Sequence, residues 1–205
     1  MAPLDSRKLA ALYKPSAKAP VLIDVPPMRF LQLEGVGNIG GDTFQEAVAA
    51  LFGLAYPVKF AAKKELGLSY KVAPLEGLYW RPDGDGDFDP EDRTTLAWRL
   101  MLMLPDDISE DLVERMRAKV ATKKNPPRLA DIRIQTFSEG RSVQILHLGP
   151  YAEETPTVQR LFAFAEDNGY EVTGDHHEIY LGDPNRAAAE KLKTVLRYGV
   201  RKARG

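Results

Sequence analysis

A predicted β-strand near the C-terminus combines a carboxylate with an aromatic ring. Because side chains alternate between the two faces of a strand, His176, Glu178 and Tyr180 share one face, while Ile179 and Leu181 share the other. A carboxylate among aromatic rings suits a flat, lipophilic or cationic ligand, since the rings stack on it and the acid neutralises a cation or exchanges protons. Glu178 is therefore the candidate catalytic residue, and Tyr180 is a candidate ligand-binding residue.

Other aromatic side chains could line the same cleft. An internal repeat aligns Trp80 with Tyr180, which predicts that both rings lie on the same side as Glu178. Each ring could instead fill a hydrophobic core, and Glu178 could lie on a solvated face of the sheet, because acids are usually exposed. Tyr79 lies on a strand that could contribute to the cleft. The further ligand-binding residues that we predict are Trp98, Tyr56, Tyr151 and His147.

The chain offers few residues for metal or thiol chemistry. Its three histidines are His147, His176 and His177, and the adjacent pair points to opposite faces of a strand, which disfavours a metal site that uses both. There is no cysteine, which excludes disulfides, thiolate nucleophiles and iron–sulfur clusters and is typical of a reducing compartment. We therefore expect neither a metal ion nor a cofactor.

A glycine loop precedes the first long predicted helix. Gly35, Gly37 and Gly40 meet the spacing of a dinucleotide-binding fingerprint, but that fingerprint belongs to parallel sheets with alternating strands and helices. The sheet predicted here is antiparallel, so the glycines indicate a turn between a strand and a helix. The chain also lacks a Gly-x-Ser-x-Gly motif, which gives no support to an esterase of that class.

Composition also argues against nucleic-acid-binding, membrane and secreted proteins. The 205 residues carry 28 basic and 29 acidic side chains, a formal net charge of -1, which provides no basic surface for nucleic acid or for an anionic membrane. No apolar run reaches the roughly 18 residues needed to span a bilayer, and the N-terminal segment lacks the pattern of a secretion signal. We expect a cytoplasmic protein whose partner is a small molecule, not a nucleic acid or a membrane.

Hydrophobic periodicity predicts the elements that position these residues. Apolar side chains at helical spacing predict helices over residues 43–66, 109–124 and 155–168. The first helix begins with a capping-box pattern from Thr43 to Glu46, and Pro57 is expected to kink or interrupt it. Residues 1–20 are predicted to be a loosely packed arm. The remaining predictions are strands at 21–25, 28–33, 70–80, 96–104, 132–137, 143–148, 170–181 and 194–200, with a short helix at 187–193.

The order of elements repeats. At an offset of 100 residues Tyr70, Val72 and Trp80 align with Tyr170, Val172 and Tyr180, and at an offset of 112 Leu31, Leu33 and Gly37 align with Val143, Ile145 and Gly149. The fold class predicted is α+β: two strand-helix-strand-strand units form one antiparallel sheet, with helices on one face and a ligand cleft on the other. The units span residues 21–105 and 130–200 of a single domain from 21 to 205, joined by the helix at 109–124.

Six short motifs are spread over most of the chain: Tyr13-Lys-Pro-Ser16, Pro74-Leu-Glu-Gly-Leu-Tyr-Trp80, Met101-Leu-Met103, Lys124-Asn-Pro-Pro127, His147-Leu-Gly-Pro-Tyr151 and His177-Glu-Ile-Tyr-Leu-Gly-Asp-Pro184. With these motifs the chain resembles, from about Tyr13 to Val200, the GyrI-like small-molecule-binding proteins, in their stand-alone branch. The family often has two tryptophans after Leu-Glu-Gly-Leu, and here the first of them is Tyr79.

The resemblance implies a duplicated strand-helix-strand-strand fold and a buried glutamate that binds lipophilic cations among aromatic rings. It also implies a possible activity, because a subfamily hydrolyses the cyclopropane of DNA-alkylating cyclopropanoid antibiotics within an aromatic cage. Binding and hydrolysis use the same residues, so the sequence leaves both open. The alternative is a protein-interaction or sequestering protein without catalysis, as the gyrase-binding members imply.

Overall fold

The computed structural model describes residues 6–82, 96–182 and 187–204, and it is an α+β fold as predicted. None of the described helices is both long and apolar enough to cross a membrane. The helices are α1 (Ser6–Tyr13), α2 (Asp42–Leu66), α3 (Glu110–Lys123) and α4 (Thr155–Asp167). The strands are β1 (Val21–Val25), β2 (Met28–Gly37), β3 (Leu75–Trp80), β4 (Leu96–Met103), β5 (Arg133–Phe137), β6 (Gly140–Leu148), β7 (Tyr170–Val172), β8 (His176–Tyr180) and β9 (Lys193–Lys202).

All the described strand pairs are antiparallel. The strand order is β1-β6-β9-β8-β3-β4-β2-β5, and β7 pairs with β9. The two ends of this path meet. β1 pairs with β6 and β2 pairs with β5 in one common register, from Val21 opposite Gln144 to Gln32 opposite Arg133. β1 and β2 thus form one nearly continuous strand beside β5 and β6, and this strand joins the two ends of the path. The sheet therefore closes on itself and has an enclosed face and a helix-covered face.

The predicted repeat is present as two strand-helix-strand-strand units. In the first, β2, α2, β3 and β4 follow one another, and in the second β6, α4, β8 and β9 do the same, with the short β7 inserted after α4. The units meet at the antiparallel pair β3–β8, so the order β2-β4-β3 is mirrored by β8-β9-β6. β3 and β8 are consequently the centre of the sheet.

The helices pack over the two flanks of the sheet. α2 lies over β2 and β4 with α3 beside it, while α4 lies over β6 and β7. α2 is a single helix that continues through Pro57, so the predicted interruption is wrong, while the kink stays a prediction. The helix begins after Gly41 without a side-chain cap, so the predicted capping box is also wrong. Ser109 caps α3 by accepting a hydrogen bond from the Leu112 amide, in agreement with the predicted helix start. This packing leaves β3 and β8 between α2 and α4.

The N-terminal segment is packed against the enclosed face, which corrects the prediction of a loose arm. Leu12 of α1 is only 2% exposed and joins an apolar cluster with Phe30 and Met101. Two buried side chains hold the backbone of α1: Arg197 donates to the Leu12 carbonyl at 2.7 Å, and Gln144 donates to the Ala11 carbonyl at 2.7 Å. α1 therefore covers the enclosed face.

That enclosed face contains a network of buried charges. His177 is hydrogen-bonded to Glu139 at 3.0 Å and to Glu76 at 3.1 Å, and Arg197 donates to Glu139 at 3.2 Å. The Tyr13 hydroxyl donates to Glu76 at 2.6 Å. Burial raises the pKa of Glu139, but the charges of His177 and Arg197 outweigh it and lower that pKa to about 2. Burial lowers the pKa of His177, but Glu139 and Glu76 outweigh it and raise that pKa to about 9.

These pKa values predict how stability depends on pH. The contribution of His177 is complete below its ordinary pKa of 6.5 and is lost as the pH rises through about 9, whereas that of Glu139 is complete above 4.5 and is lost as the pH falls to about 2. His177→Gln leaves buried carboxylates without their imidazolium, so we expect a loss of about 3–5 kcal/mol in the free energy of unfolding at pH 6. Urea unfolding at several pH values measures both effects. Parallel pH profiles for the variant and the wild type would contradict the assignment.

Candidate functional site

The candidate site lies on the helix-covered face above β3 and β8. Glu178 pairs with Gly77 of β3 and with Leu196 of β9, and Leu196 belongs to the core under α4. We predicted that Glu178 faces away from the helices and Ile179 toward them, and the structure reverses this. Glu178 is completely buried, and His177 on the opposite side of the strand faces the enclosed network.

The aromatic partner of Tyr180 is Tyr79, not Trp80. The Tyr79 and Tyr180 hydroxyls are hydrogen-bonded at 2.5 Å, across a separation of 101 residues. The offset of 100 used for the prediction is one residue short, and a slip of one residue moves a strand side chain to the other face. Trp80 therefore lies on the enclosed side of the sheet, where its ring packs against the cluster that contains Leu12 and the Arg99 guanidinium lies 5.9 Å from its centre.

A glycine makes room for the Tyr79 ring. A Cβ atom at position 77 would collide with the Tyr79 hydroxyl, because the phenol lies along β3 directly over Gly77. Gly77 is the residue opposite Glu178, so the ring is laid toward the carboxylate. Tyr151 adds a third ring, edge-on to Tyr180 with 5.5 Å between ring centres. The central strands and the turn before α4 thus bring three phenols to one place.

A buried cluster of two carboxylates and one imidazole lies beside these rings. His176 Nε2 is 3.1 Å from Glu178 and 3.4 Å from Glu154, and its Nδ1 is 2.5 Å from the Tyr198 hydroxyl. The Tyr79 ring lies 6.2 Å from the imidazole. Burial lowers the pKa of His176, but its hydrogen bonds to Glu154 and Glu178 outweigh burial and raise it. His176 is therefore held between two carboxylates, which favour its protonated form.

The turn between β6 and α4 positions both Tyr151 and Glu154. His147 holds this turn: its Nε2 donates to the Pro150 carbonyl at 3.1 Å, which leaves Nδ1 to accept from the Thr157 hydroxyl at 3.0 Å. His147 is buried with both ring nitrogens engaged by the protein, so in this structure it is a positioning residue. That His147 binds ligand stays a prediction.

Two other predicted ligand-binding residues lie away from this cluster. Trp98 is on the helix-covered face next to Tyr79, but it is completely buried and packs edge-on against Phe44 of α2 at 5.4 Å. Tyr56 is 46% exposed on α2, where it stacks between Phe52 and Phe60. The hydrogen bonds and ring contacts that define the site involve neither of them.

Sequence reasoning missed two members of the site, Glu154 and Tyr198. It named Tyr79 as a residue that could line the cleft but not as a predicted ligand-binding residue. Glu154 directly precedes the predicted start of α4, but an acid before a helix is ordinarily a solvated one. The register of β9 beside β8, which brings Tyr198 to His176, depends on a long-range pairing that periodicity does not reveal.

The cluster also bears on metal binding. Among the described residues, Glu154, His176 and Glu178 are the group whose donor atoms lie close enough for one ion, within 4.8 Å of one another. In this structure His176 Nε2 faces the two carboxylates as a hydrogen-bonding partner, at 3.1 Å from Glu178 and 3.4 Å from Glu154.

The role of Gly77 is testable by one added methyl group. Gly77→Ala forces the Tyr79 phenol to move and breaks its hydrogen bond to Tyr180, so we expect a loss of about 1–3 kcal/mol in stability. Gly53→Ala is the matched control, because Gly53 lies within α2 with no atom in the way of a Cβ, and it should gain roughly 0.5–1 kcal/mol. Denaturant unfolding of both variants measures the difference. Equal stability of the two would refute the proposed packing of Tyr79.

Comparison with known structures gives close relatives from Listeria innocua. An uncharacterized conserved protein is 35% identical, with a TM-score of 0.87, covering 95% of this chain and 98% of its own. A protein described as a hydrolase is 34% identical with a TM-score of 0.85, covering 95% of this chain and 97% of its own. The EcmrR C-terminal domain shares the fold alone, at 15% identity and a TM-score of 0.52, covering 90% of this chain and 98% of that one.

No curated protein matches the chain. The model of the GyrI-like small molecule binding domain matches residues 18–198, which include every member of the site described above. A match over most of the chain, together with relatives at 34–35% identity along their full length, establishes the family. The chain belongs to the GyrI-like small-molecule-binding family.

Proposed function

We propose that this protein binds flat, lipophilic or cationic small molecules between α2 and α4, and that it hydrolyses cyclopropanoids bound there. The observation that carries the proposal is the environment of Glu178, a completely buried carboxylate beside Tyr79, Tyr180 and Tyr151. His176 at 3.1 Å offsets the cost of burying this carboxylate, and its negative charge adjoins the rings on which a ligand would stack.

Binding follows from the two kinds of contact that these residues offer. The phenol rings provide apolar surface and the negative faces on which aromatic and cationic groups stack. Glu178 adds a negative charge where little water competes, which strengthens its attraction for a cation. Tyr180 is only partly buried, which gives a ligand access to its ring.

Hydrolysis is supported by the relatives and by the acid–base groups. Two of the Listeria innocua structures, at 33% and 34% identity, are described as hydrolases, without a stated substrate. In a cyclopropanoid, water oxygen forms a bond to the ring CH₂ while a ring C–C bond breaks, and its electrons move to the conjugated carbonyl oxygen. Water loses one proton and the oxygen gains one, so the product is the substrate plus one water.

The site contains groups for both proton transfers. Glu178 is a base that can take the proton from water, and the Tyr79–Tyr180 pair of hydroxyls can donate a hydrogen bond to the developing phenolate. The rings would hold the flat, strained electrophile in position for attack. A binder without turnover would use the same rings and the same carboxylate, so the two activities need separate experiments.

Glu178→Gln tests the charge in binding. The substitution keeps size and hydrogen bonding but removes the negative charge, so affinity for a cationic aromatic dye should fall about 10- to 100-fold, while affinity for a neutral dye of the same shape stays nearly constant. Fluorescence titration of both dyes measures this. Trp80→Ala is the control: its ring lies on the enclosed side of the sheet, so neither affinity should change by more than about twofold.

Equal losses for the two dyes in Glu178→Gln would refute the carboxylate as the charge partner. A loss of both dyes in Trp80→Ala, with the protein still folded, would move the binding surface to the opposite side of the sheet.

Turnover is tested directly with a cyclopropanoid. We expect the wild type to convert it to a product heavier by one water, detected by mass spectrometry, and Glu178→Gln to slow conversion by about 10²- to 10⁴-fold, the range for loss of a general base. If the wild type binds a cyclopropanoid tightly but leaves it unchanged, the proposed hydrolysis is wrong and only the proposed binding stands.

A further inference from the structure

We propose that two copies of this chain associate through the outer face of α2, which pairs antiparallel with the α2 of the second copy about a twofold axis at Tyr56. Three aromatic side chains, Phe52, Tyr56 and Phe60, follow one another every four residues and form an aromatic stripe along the helix. The Tyr56 ring centre lies 6.2 Å from that of Phe52 and 6.5 Å from that of Phe60. This association is independent of the proposed function.

The aromatic stripe faces away from the hydrophobic core. α2 packs onto the sheet through the other side of the helix, which contains the buried residues Leu51, Leu54 and Val58. Tyr56 is 46% exposed and Phe60 is 62% exposed. A continuous patch of large apolar side chains is uncommon on the surface of a monomeric protein and is typical of a surface that another molecule covers.

The aromatic stripe is complementary to itself. A twofold axis at Tyr56 that reverses the helix direction places Phe52 of one copy beside Phe60 of the other, because both lie four residues from the axis. The two Tyr56 rings meet at the axis. The three rings of one copy therefore cover the three rings of the other in reverse order, as an interface between identical surfaces requires.

The charges at the two ends of α2 favour the antiparallel orientation. Glu46 and Lys64 are both exposed, and they lie on the same side of the helix because the eighteen positions between them make about five turns. Glu46 lies about 15 Å before Tyr56 along the helix axis, and Lys64 lies about 12 Å after it. The twofold axis therefore brings Glu46 of each copy close to Lys64 of the other.

The same charges identify the occupant of this surface. In a parallel pair, Glu46 and Lys64 would each face the identical side chain of the second copy, and like charges repel. In the antiparallel pair the contact between opposite charges occurs twice, together with three pairs of rings. The outer face of α2 is thus complementary in shape and in charge to a second copy of itself.

Sedimentation equilibrium of the full chain measures this association. We expect a dimer whose dissociation constant rises at least about 10-fold in Tyr56→Ala and in Phe60→Ala, because symmetry removes each aromatic contact from both copies. Glu46→Lys and Lys64→Glu should each raise it about 3- to 10-fold, and the two changes together should restore it to within about threefold of the wild type. Lys191→Glu is the matched control, since this exposed lysine lies just before β9, and it should leave the dissociation constant unchanged.

A wild type that remains monomeric up to about 100 μM overturns the proposal, and an aromatic dye bound to the stripe of that monomer would assign the surface to a small molecule. A dimer whose dissociation constant is unchanged in both Tyr56→Ala and Phe60→Ala forms through another surface and overturns it equally.

Single cysteines test the orientation of the two helices, because the chain has no cysteine of its own. Tyr56→Cys places two thiols at the twofold axis, within reach of a disulfide, so mild oxidation should give a covalent dimer. Phe52→Cys should not form one, because antiparallel pairing separates its two thiols by about 12 Å along the helices. A covalent dimer of Phe52→Cys but not of Tyr56→Cys would contradict the antiparallel twofold.

Discussion

Two adjacent histidines on one short strand organise this molecule. Because β8 alternates its side chains, His176 faces the helices and His177 faces the enclosed side, and each is hydrogen-bonded to two buried glutamates. Each cluster needs a partner from a distant part of the chain to satisfy it. On the enclosed side these partners include Arg197 of β9, and on the helix side they are the turn before α4 and β9. The position of β8 therefore depends both on the alternation of its own side chains and on contacts with distant parts of the chain.

The two sides of the central strands differ in the groups that surround their carboxylates. On the enclosed side, Arg197 and His177 offset the two carboxylates, and α1 covers them, which suits a network that stabilises the fold. On the helix side, two carboxylates share one imidazole next to phenol rings, and one ring, Tyr180, is partly open. A buried carboxylate next to aromatic rings is the feature on which the proposed ligand binding rests. The central pair of strands thus has a network that stabilises the fold on one side and the proposed binding site on the other.

Much of the fold follows from patterns within a few residues. The apolar stripes of α2, α3 and α4, the Ser109 cap and the repeated element order led to the correct class and to a single antiparallel sheet. The sequence did not reveal which face of the sheet Glu178 lies on. Alternation along a strand shows which side chains share a face, but long-range packing decides which face the helices cover. Offsets of 100 and 101 are equally plausible in sequence, and only the second makes Tyr79 the partner of Tyr180. Burial of Glu154 likewise depends on a tertiary contact with no local signature.

We propose that small molecules bind on the helix side of β3 and β8. A crystal structure of the protein with a cationic aromatic dye would locate this binding site. We expect the dye to stack against Tyr180 and Tyr151, between α2 and α4, with its positive group within about 4 Å of a Glu178 oxygen. A dye seated instead on the exposed rings of Tyr56 and Phe60, with Glu178 untouched, would contradict it.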